Sequence, residues 1–275
     1  KRVIMAREAN KEQIRYIMEN KPKDLEVEMF GHGAICFAYS GRCFLSDFLC
    51  GRSANLGDCA QSCRWSYNLY AEEKNNPGQL MPLESDENGT SIFSSKDLCL
   101  IKEIPEIIDM GVDSLKIEGR LKTEYYVASV VNAYRTAIDD YMKDPENYDY
   151  TKYLNELEKV KTRPFTTFYF NDRKNEDIQD FSGKQYNDKY EFGGKIVEAK
   201  EEKSVIEIKN KLTVGDTLEI LKPGQFEPIE FKIEQLWDYE TGEKIDFVSP
   251  GVKGQKVLMN IPVKCENNWI MRRKK

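Results

Sequence analysis

The chain has 275 residues, 40% of them hydrophobic and 11% aromatic, which suits one large domain or two smaller ones with real cores. Its formal net charge of −6 argues against a protein that coats nucleic acid by charge alone, and no apolar run reaches the roughly 20 residues that a membrane span needs. Lys1-Arg2 leads straight into apolar Val3–Ala6 with no secretory leader, so a reducing cytoplasm is the expected setting for the seven cysteines.

Val3–Glu8 reads as a strand ending in the charged pair Arg7-Glu8. Asn10 is placed to cap a helix with Glu12 and Gln13 in its first turn and an apolar stripe of Ile14, Ile17 and Met18, which Lys21-Pro22 ends. A second strand, Leu25–Phe30, stops at Gly31-His32-Gly33, and strand–helix–strand is the unit of a parallel sheet. A Cys-rich insertion over residues 31–67 interrupts this alternation, and Tyr70–Gly89 follows as a polar excursion. Ser94–Asp97 opens a helix striped by Leu98, Ile101, Ile104, Ile107 and Ile108, bent at Pro105 and closed at Gly111. Val112–Ile117 is the next strand, ending in Glu118-Gly119-Arg120. A long amphipathic helix then runs to Met142, with Tyr126, Val130, Ala133, Ala137 and Tyr141 on one face. After a polar helix, Thr166–Phe170 forms one more strand.

Strands that end in charge and hand over to helices are the pattern of a (β/α) barrel, whose active groups gather where strands meet loops. Arg7, Glu8, Glu28, His32, Lys116, Glu118 and Arg120 hold such places. The cations suit an anionic substrate and the carboxylates acid or base work, with salt bridges around the barrel mouth as the plainer alternative. About four βα units make half of an eight-fold barrel, and an open flank would leave an unpaired edge. The other half is therefore expected from an absent segment, a partner or a second copy.

The fold class expected is α/β plus all-β. Residues 1–170 read as the C-terminal half of a TIM-like barrel forming a partial catalytic domain, 171–189 as a polar linker, and 190–275 as a small all-β barrel. The strands of that last domain are Gly194–Glu198, Ser204–Lys209, Asp216–Leu221, Ile229–Gln235 and Gln255–Ile261. Turns at Pro223-Gly224, Thr241-Gly242 and Pro250-Gly251 separate several of them.

Cys36, Cys43, Cys50, Cys59 and Cys63 fall within 28 residues, beside the one histidine of the chain, His32. No apolar periodicity separates these thiols, so they read as a site that grips something. Zinc held by cysteines usually shows two short knuckles, and here only Cys59-x3-Cys63 qualifies. Wide spacing on a loop suits an iron–sulfur cluster at least as well. Cys99 could bring in another thiolate, whereas Cys50 and Cys265 read as ordinary small side chains. His32, between two glycines, admits a plain structural hydrogen bond. A single histidine leaves no H-E-x-x-H site, and neither a G-x-S-x-G elbow nor a phosphate-binding glycine loop is present.

Three stretches carry a family resemblance: E-x-F-x-H-G-A-x-C-x-x-Y-S-G-R-C-x-L-S from Glu28, G-R-S-A-N-x-G-x-C-A-Q-x-C-R-W from Gly51, and D-S-L-K-I-E-G-R from Asp113. Together they resemble the collagenase-like peptidase family U32 over nearly the whole chain. The family name implies proteolysis. Its better understood branches imply RNA hydroxylation instead, of a tRNA wobble uridine with prephenate or of a ribosomal RNA cytidine, and other branches carry iron–sulfur clusters. The resemblance implies a 4Fe–4S cluster on Cys36, Cys43 and Cys59, with Cys63 or Cys99 as the fourth ligand. It also implies RNA as partner and roughly half a barrel upstream of Arg2. The β-domain, with 16 Lys and Arg against 15 Asp and Glu over residues 189–275, would then read RNA by shape and stacking. Trp237, Tyr239 and Trp269 are the stacking candidates, unless they are core. A peptidase and a zinc-stabilised binding module remain the alternatives.

Overall fold

A computed structural model describes every residue of the chain except 37, 66, 68, 69, 73, 76, 79, 83–94, 172–188 and 252–254. Ser94 at the expected helix start, most of the expected linker, and much of the polar excursion lie outside the described residues. The chain divides into two compact units that are not consecutive in sequence. The first gathers residues 1–100, 106–118 and 163–185, and the second 101–105, 119–162 and 186–275.

The first unit begins with the anticipated strand–helix–strand. β1 (Arg2–Ile4) lies parallel to β2 (Glu26–Ala34), with α1 (Lys11–Asn20) between them in sequence. Asn10 starts α1 with a capping box: its side-chain oxygen accepts the Gln13 N–H at 2.9 Å, and Gln13 Oε1 accepts the Asn10 N–H at 3.1 Å. Two orphan donors of the first turn are thereby satisfied, and Ile14 is buried against Val27, Met29, Leu98, Leu100 and Ile107.

β2 does not stop at Gly31. It continues to Ala34 because its glycines admit a neighbour that a side chain would exclude. A Cβ on Gly33 would stand 2.3 Å from the Glu118 carbonyl oxygen, and its φ of +111° is one that other residues rarely adopt. In the cysteine region come α2 (Leu45–Cys50) and then the hairpin β3 (Tyr70–Glu72) and β4 (Leu80–Pro82).

The helix expected from Asp97 onward is divided. Asp97–Cys99 is a strand, β5, antiparallel to β2 with Cys99 opposite His32; Ile101–Glu103 is a 3₁₀ turn, and α3 covers Ile104–Asp109. All three β5 residues are buried, so pairing with β2 overrides a helical stripe that was real in spacing. β6 (Ser114–Glu118) pairs parallel to β2 on its other flank. The last expected strand shrinks to β7 (Phe165–Thr166), parallel to β5, since the backbone turns left-handed at Phe168 (φ 53°). The unit is thus a mixed sheet. Its pairs β1–β2, β2–β6 and β5–β7 are parallel, and β2–β5 is antiparallel.

In the second unit α4 (Glu124–Lys143) starts at Thr123, whose hydroxyl accepts the Tyr126 N–H at 3.2 Å, and buries Tyr126, Val130, Ala133 and Ala137 on one face, as the spacing predicts. α5 (Thr151–Leu157) follows. The remaining strands are β8 (Tyr190–Glu198), β9 (Ser204–Ile208), β10 (Leu212–Thr213), β11 (Thr217–Leu221), β12 (Ile229–Lys232), β13 (Leu236–Asp238), β14 (Lys244–Ile245), β15 (Phe247–Val248), β16 (Lys256–Met259) and β17 (Ile270–Lys274). Eight of them form one sheet in the order β12-β11-β17-β8-β9-β16-β13-β14, every pairing antiparallel, while β10 pairs with β15. Ile196, Ile206, Leu218, Ile220, Val257 and Met271 fill its core. Among the described residues no helix is long and apolar enough to cross a membrane.

Candidate functional site

The cysteine loop is tied by polar contacts. Asn55 clamps the backbone of Cys43, its Oδ1 accepting the Cys43 N–H at 3.0 Å and its Nδ2 donating to the Cys43 carbonyl at 2.9 Å. Buried Ser46 accepts the Ala60 N–H at 2.9 Å, and the Tyr67 hydroxyl donates to the Ser62 carbonyl at 2.6 Å. The Gln61 N–H points at Cys59 Sγ from 3.2 Å, with Gln61 itself left-handed (φ 55°). Arg64 anchors the loop to the sheet: it donates to the Ile35 carbonyl at 2.8 Å and stands 3.6 Å from fully buried Asp97. Asp97 also accepts the Arg163 N–H at 3.3 Å.

Four of the loop thiols are electrostatic neighbours. Burial pushes the Cys63 thiol above its ordinary value, Arg64 opposes this, and the nearby thiols of Cys36, Cys59 and Cys43 add to the rise. Cys50 lies with Cys59 in reach of Arg52, which is held by Asp58. Cys99 is buried in β5, and Cys265 belongs to the second unit. None of the seven cysteines is in a disulfide. Among the described residues no three His, Cys, Asp or Glu side chains are arranged to hold a metal ion.

The charged residues expected at strand ends do not gather at one place. Arg7 and Lys116 converge on one ring: the Arg7 guanidinium carbon is 5.7 Å and the Lys116 ammonium 5.0 Å from the centroid of Phe30, and among the described residues neither enters an ion pair. Glu8 joins the cysteine loop, its Oε1 accepting the Ser40 N–H at 2.9 Å while its buried Oε2 has no hydrogen-bond partner among the described residues. Glu28 is a correction of placement. It sits inside β2, opposite Ile4 and Ser114, and is engaged by Ser114 Oγ at 2.8 Å and Arg2 at 3.5 Å, so it is a tie across three strands. His32 is 1% exposed, edge-on to Phe165 at 5.4 Å, deep in the sheet. Glu118 ends β6, and Arg120 lies in the second unit.

Of the stacking candidates, Trp269 is core at 5% exposure. Trp237 and Tyr239 are less buried, but lysines lie over their rings, Lys203 at 4.0 Å and Lys256 at 5.5 Å. Sequence reasoning missed Asn55, Arg64 and Asp97. Their signal was present only as polar residues lying near cysteines or before an apolar run, which is also how ordinary caps look.

The profile of Peptidase family U32 matches residues 1–180, and that of the Peptidase family U32 C-terminal domain matches residues 188–272. The chain is 40% identical to tRNA hydroxylation protein P1 of Bacillus subtilis over 89% of its own length and 57% of that protein. It is 32% identical to the 23S rRNA 5-hydroxycytidine C2501 synthase of Escherichia coli, over 80% of this chain and 32% of that one. A Porphyromonas gingivalis protein named collagenase is 32% identical over 95% of this chain and 63% of its own length. The chain therefore spans less than two thirds of these relatives. It belongs to Peptidase family U32.

Proposed function

We propose that the chain is part of a cytoplasmic enzyme that hydroxylates a pyrimidine of tRNA or ribosomal RNA, with an iron–sulfur cluster and a prephenate-like anion as its helpers. The observation that carries this reading is the 40% identity, over 89% of the chain, to a protein named for tRNA hydroxylation. Cys36, Cys43, Cys59 and Cys63 are the cluster ligands in this reading. Cys99, opposite His32 in the sheet, is a packing residue.

Four neighbouring thiols on one loop, with only Cys59-x3-Cys63 spaced as a zinc knuckle, are a donor set whose chemistry fits a cubane as well as zinc. When bound, the cluster supplies one-electron transfer. The chain's own residues do the rest. Arg7 and Lys116, both beside the Phe30 ring, hold the carboxylate of the co-substrate. Glu8, with one buried oxygen unengaged, takes or returns a proton. The three parallel pairings of the first unit support part of a (β/α) barrel completed by further chain, and the all-antiparallel sheet supports a small barrel.

The test is mass spectrometry of nucleosides from tRNA and ribosomal RNA of a strain lacking the gene. A missing hydroxypyrimidine, restored by the gene, is expected. An unchanged profile would remove the RNA reading. The relative named collagenase favours proteolysis as a second reading. Gelatin cleavage by a Cys36→Ser/Cys43→Ser variant at the parent rate would support it.

A further inference from the structure

α4 and the antiparallel sheet of the second unit leave an open groove of about 640 Å³ between them. Its floor is aliphatic: Val127, Ala128 and Val131 from α4 face Leu221, Pro223 and Ile270. Val127 and Val131 are 39% and 47% exposed, an unusual place for two valines on a helix whose other face is fully packed. The rim carries four cations, Lys122, Arg135, Lys195 and Lys222, against one carboxylate, Glu124. In a chain of net charge −6, that local excess is against the trend.

The cations lie at both ends. Lys195 pairs with Glu124 at 3.0 Å near the start of α4, next to Lys122. The turn from Lys222 to Gln225 reaches the other end, where Asn132 donates to the Gln225 carbonyl at 3.1 Å, one turn from Arg135, and the Lys222 ammonium stands 5.8 Å from the Trp269 ring. From Glu124 to Arg135 the helix rises about 16 Å at about 1.5 Å per residue. A single small carboxylate would engage one end and leave the other uncompensated, whereas a linear polyanion meets both. The ion pairs Lys195–Glu124 and Arg135–Asp139 have exposed carboxylates and are weak enough to be exchanged for phosphate. Asn132 and Asn268 supply amides on the groove wall that can meet base edges.

We propose that this groove binds a single-stranded RNA segment, its bases laid on the aliphatic floor and its phosphates held by the terminal cations. Duplex RNA hides its bases in the stack and offers nothing to such a floor. Trp237 and Tyr239 are weaker candidates, because Lys203 and Lys256 already lie over their rings. The inference deepens the RNA reading above and rests on it.

Fluorescence anisotropy of a 5′-labelled single-stranded RNA with this chain tests it, alongside Arg135→Glu/Lys222→Glu, Val131→Asp and Trp237→Ala, each checked for an unchanged circular dichroism spectrum. The double charge reversal is expected to weaken binding at least about tenfold and to flatten the log K against log salt slope by about 1.4, two phosphates at about 0.7 each. Val131→Asp is expected to weaken it too, Trp237→Ala is not, and duplex RNA is expected to bind less tightly than the single strand. Parent-like binding by the double variant would overturn the groove alone, and so would equal affinity for the duplex. No RNA binding by the parent chain at low salt would overturn the groove and count against the RNA reading with it. Groove-dependent binding beside an unchanged hydroxynucleoside profile would leave the groove standing and remove only the hydroxylation.

Discussion

In the second unit the most deeply buried charge is matched. Arg272, 0% exposed, is held by both oxygens of Glu156 and by Glu219 at 2.5 Å, inside a sheet whose apolar residues face inward. In the cysteine loop of the first unit the arrangement is reversed. Phe44, Phe48 and Leu56 are 74%, 84% and 87% exposed, while Ser46 and Arg64 turn inward to tie backbone groups and exposed Asn55 ties the backbone of Cys43. One region is stabilised by burial and a satisfied ion network. The other takes its shape from hydrogen bonds and, in the proposed reading, from a bound cluster. Loops of the second kind lose definition when their ligand leaves, because binding free energy is part of their folding free energy.

The largest effect expected from breaking this contrast is in the second unit. Arg272→Ala leaves part-buried Glu219 without its cation and buried Glu156 with Lys159 alone, and should cost about 3 kcal/mol, read as a lower midpoint in urea unfolding. Replacing Arg272, Glu156 and Glu219 together by apolar residues of similar size should cost far less, since no orphan charge remains. Equal losses from the two variants would mean that the network acts through its packing.

Next comes the anchor of the loop. Asp97→Ala removes the buried partner of Arg64 and the acceptor of the Arg163 N–H, at about 2–3 kcal/mol for a charged hydrogen-bonding group. Limited proteolysis should then cut within residues 38–65 while the antiparallel sheet stays intact. A melt that shifts both units together would contradict the separation. Smaller still, Asn55→Ala unclamps the backbone of Cys43 and should cost about 1 kcal/mol, two neutral hydrogen bonds at a partly exposed site.

The alkaline limit sharpens the comparison without a mutation. Burial raises the Tyr125 hydroxyl from an ordinary 10.0 to about 12, while its proton is donated to the Lys159 carbonyl at 2.8 Å. A group whose folded pKa is raised contributes stability that is complete below the unfolded value and lost above it. The second unit should therefore weaken between pH 10 and about 12, and Tyr125→Phe should flatten that slope in chemical denaturation.

What could be read from residue order follows the same division. α1 with its Asn10–Gln13 box, the buried stripe of α4, and the change to alternating strands after residue 190 were legible, because each rests on contacts within a few residues. β5 was not. Leu98, Ile101, Ile104 and Ile107 satisfy a helical period, and only the arrival of β2 turns Asp97–Cys99 into a strand. Glu28 looked like a rim carboxylate because β2 was expected to end two residues later, at Phe30. Gly33, by admitting the Glu118 carbonyl, extends the strand and leaves Glu28 inside it. The cysteines were legible as a group. The residues that hold the loop to the sheet were not, since Arg64 and Asp97 lie 33 positions apart and share no pattern.

The central claim is that four thiols of one loop share an inorganic core. Anaerobic reconstitution of the chain with iron and sulfide, followed by iron and sulfide analysis and visible absorption, tests it most directly. About four irons and four sulfides per chain are expected, lost in Cys63→Ser and kept in Cys99→Ser. Stoichiometric zinc with no iron uptake, or full iron content in Cys63→Ser, would contradict it.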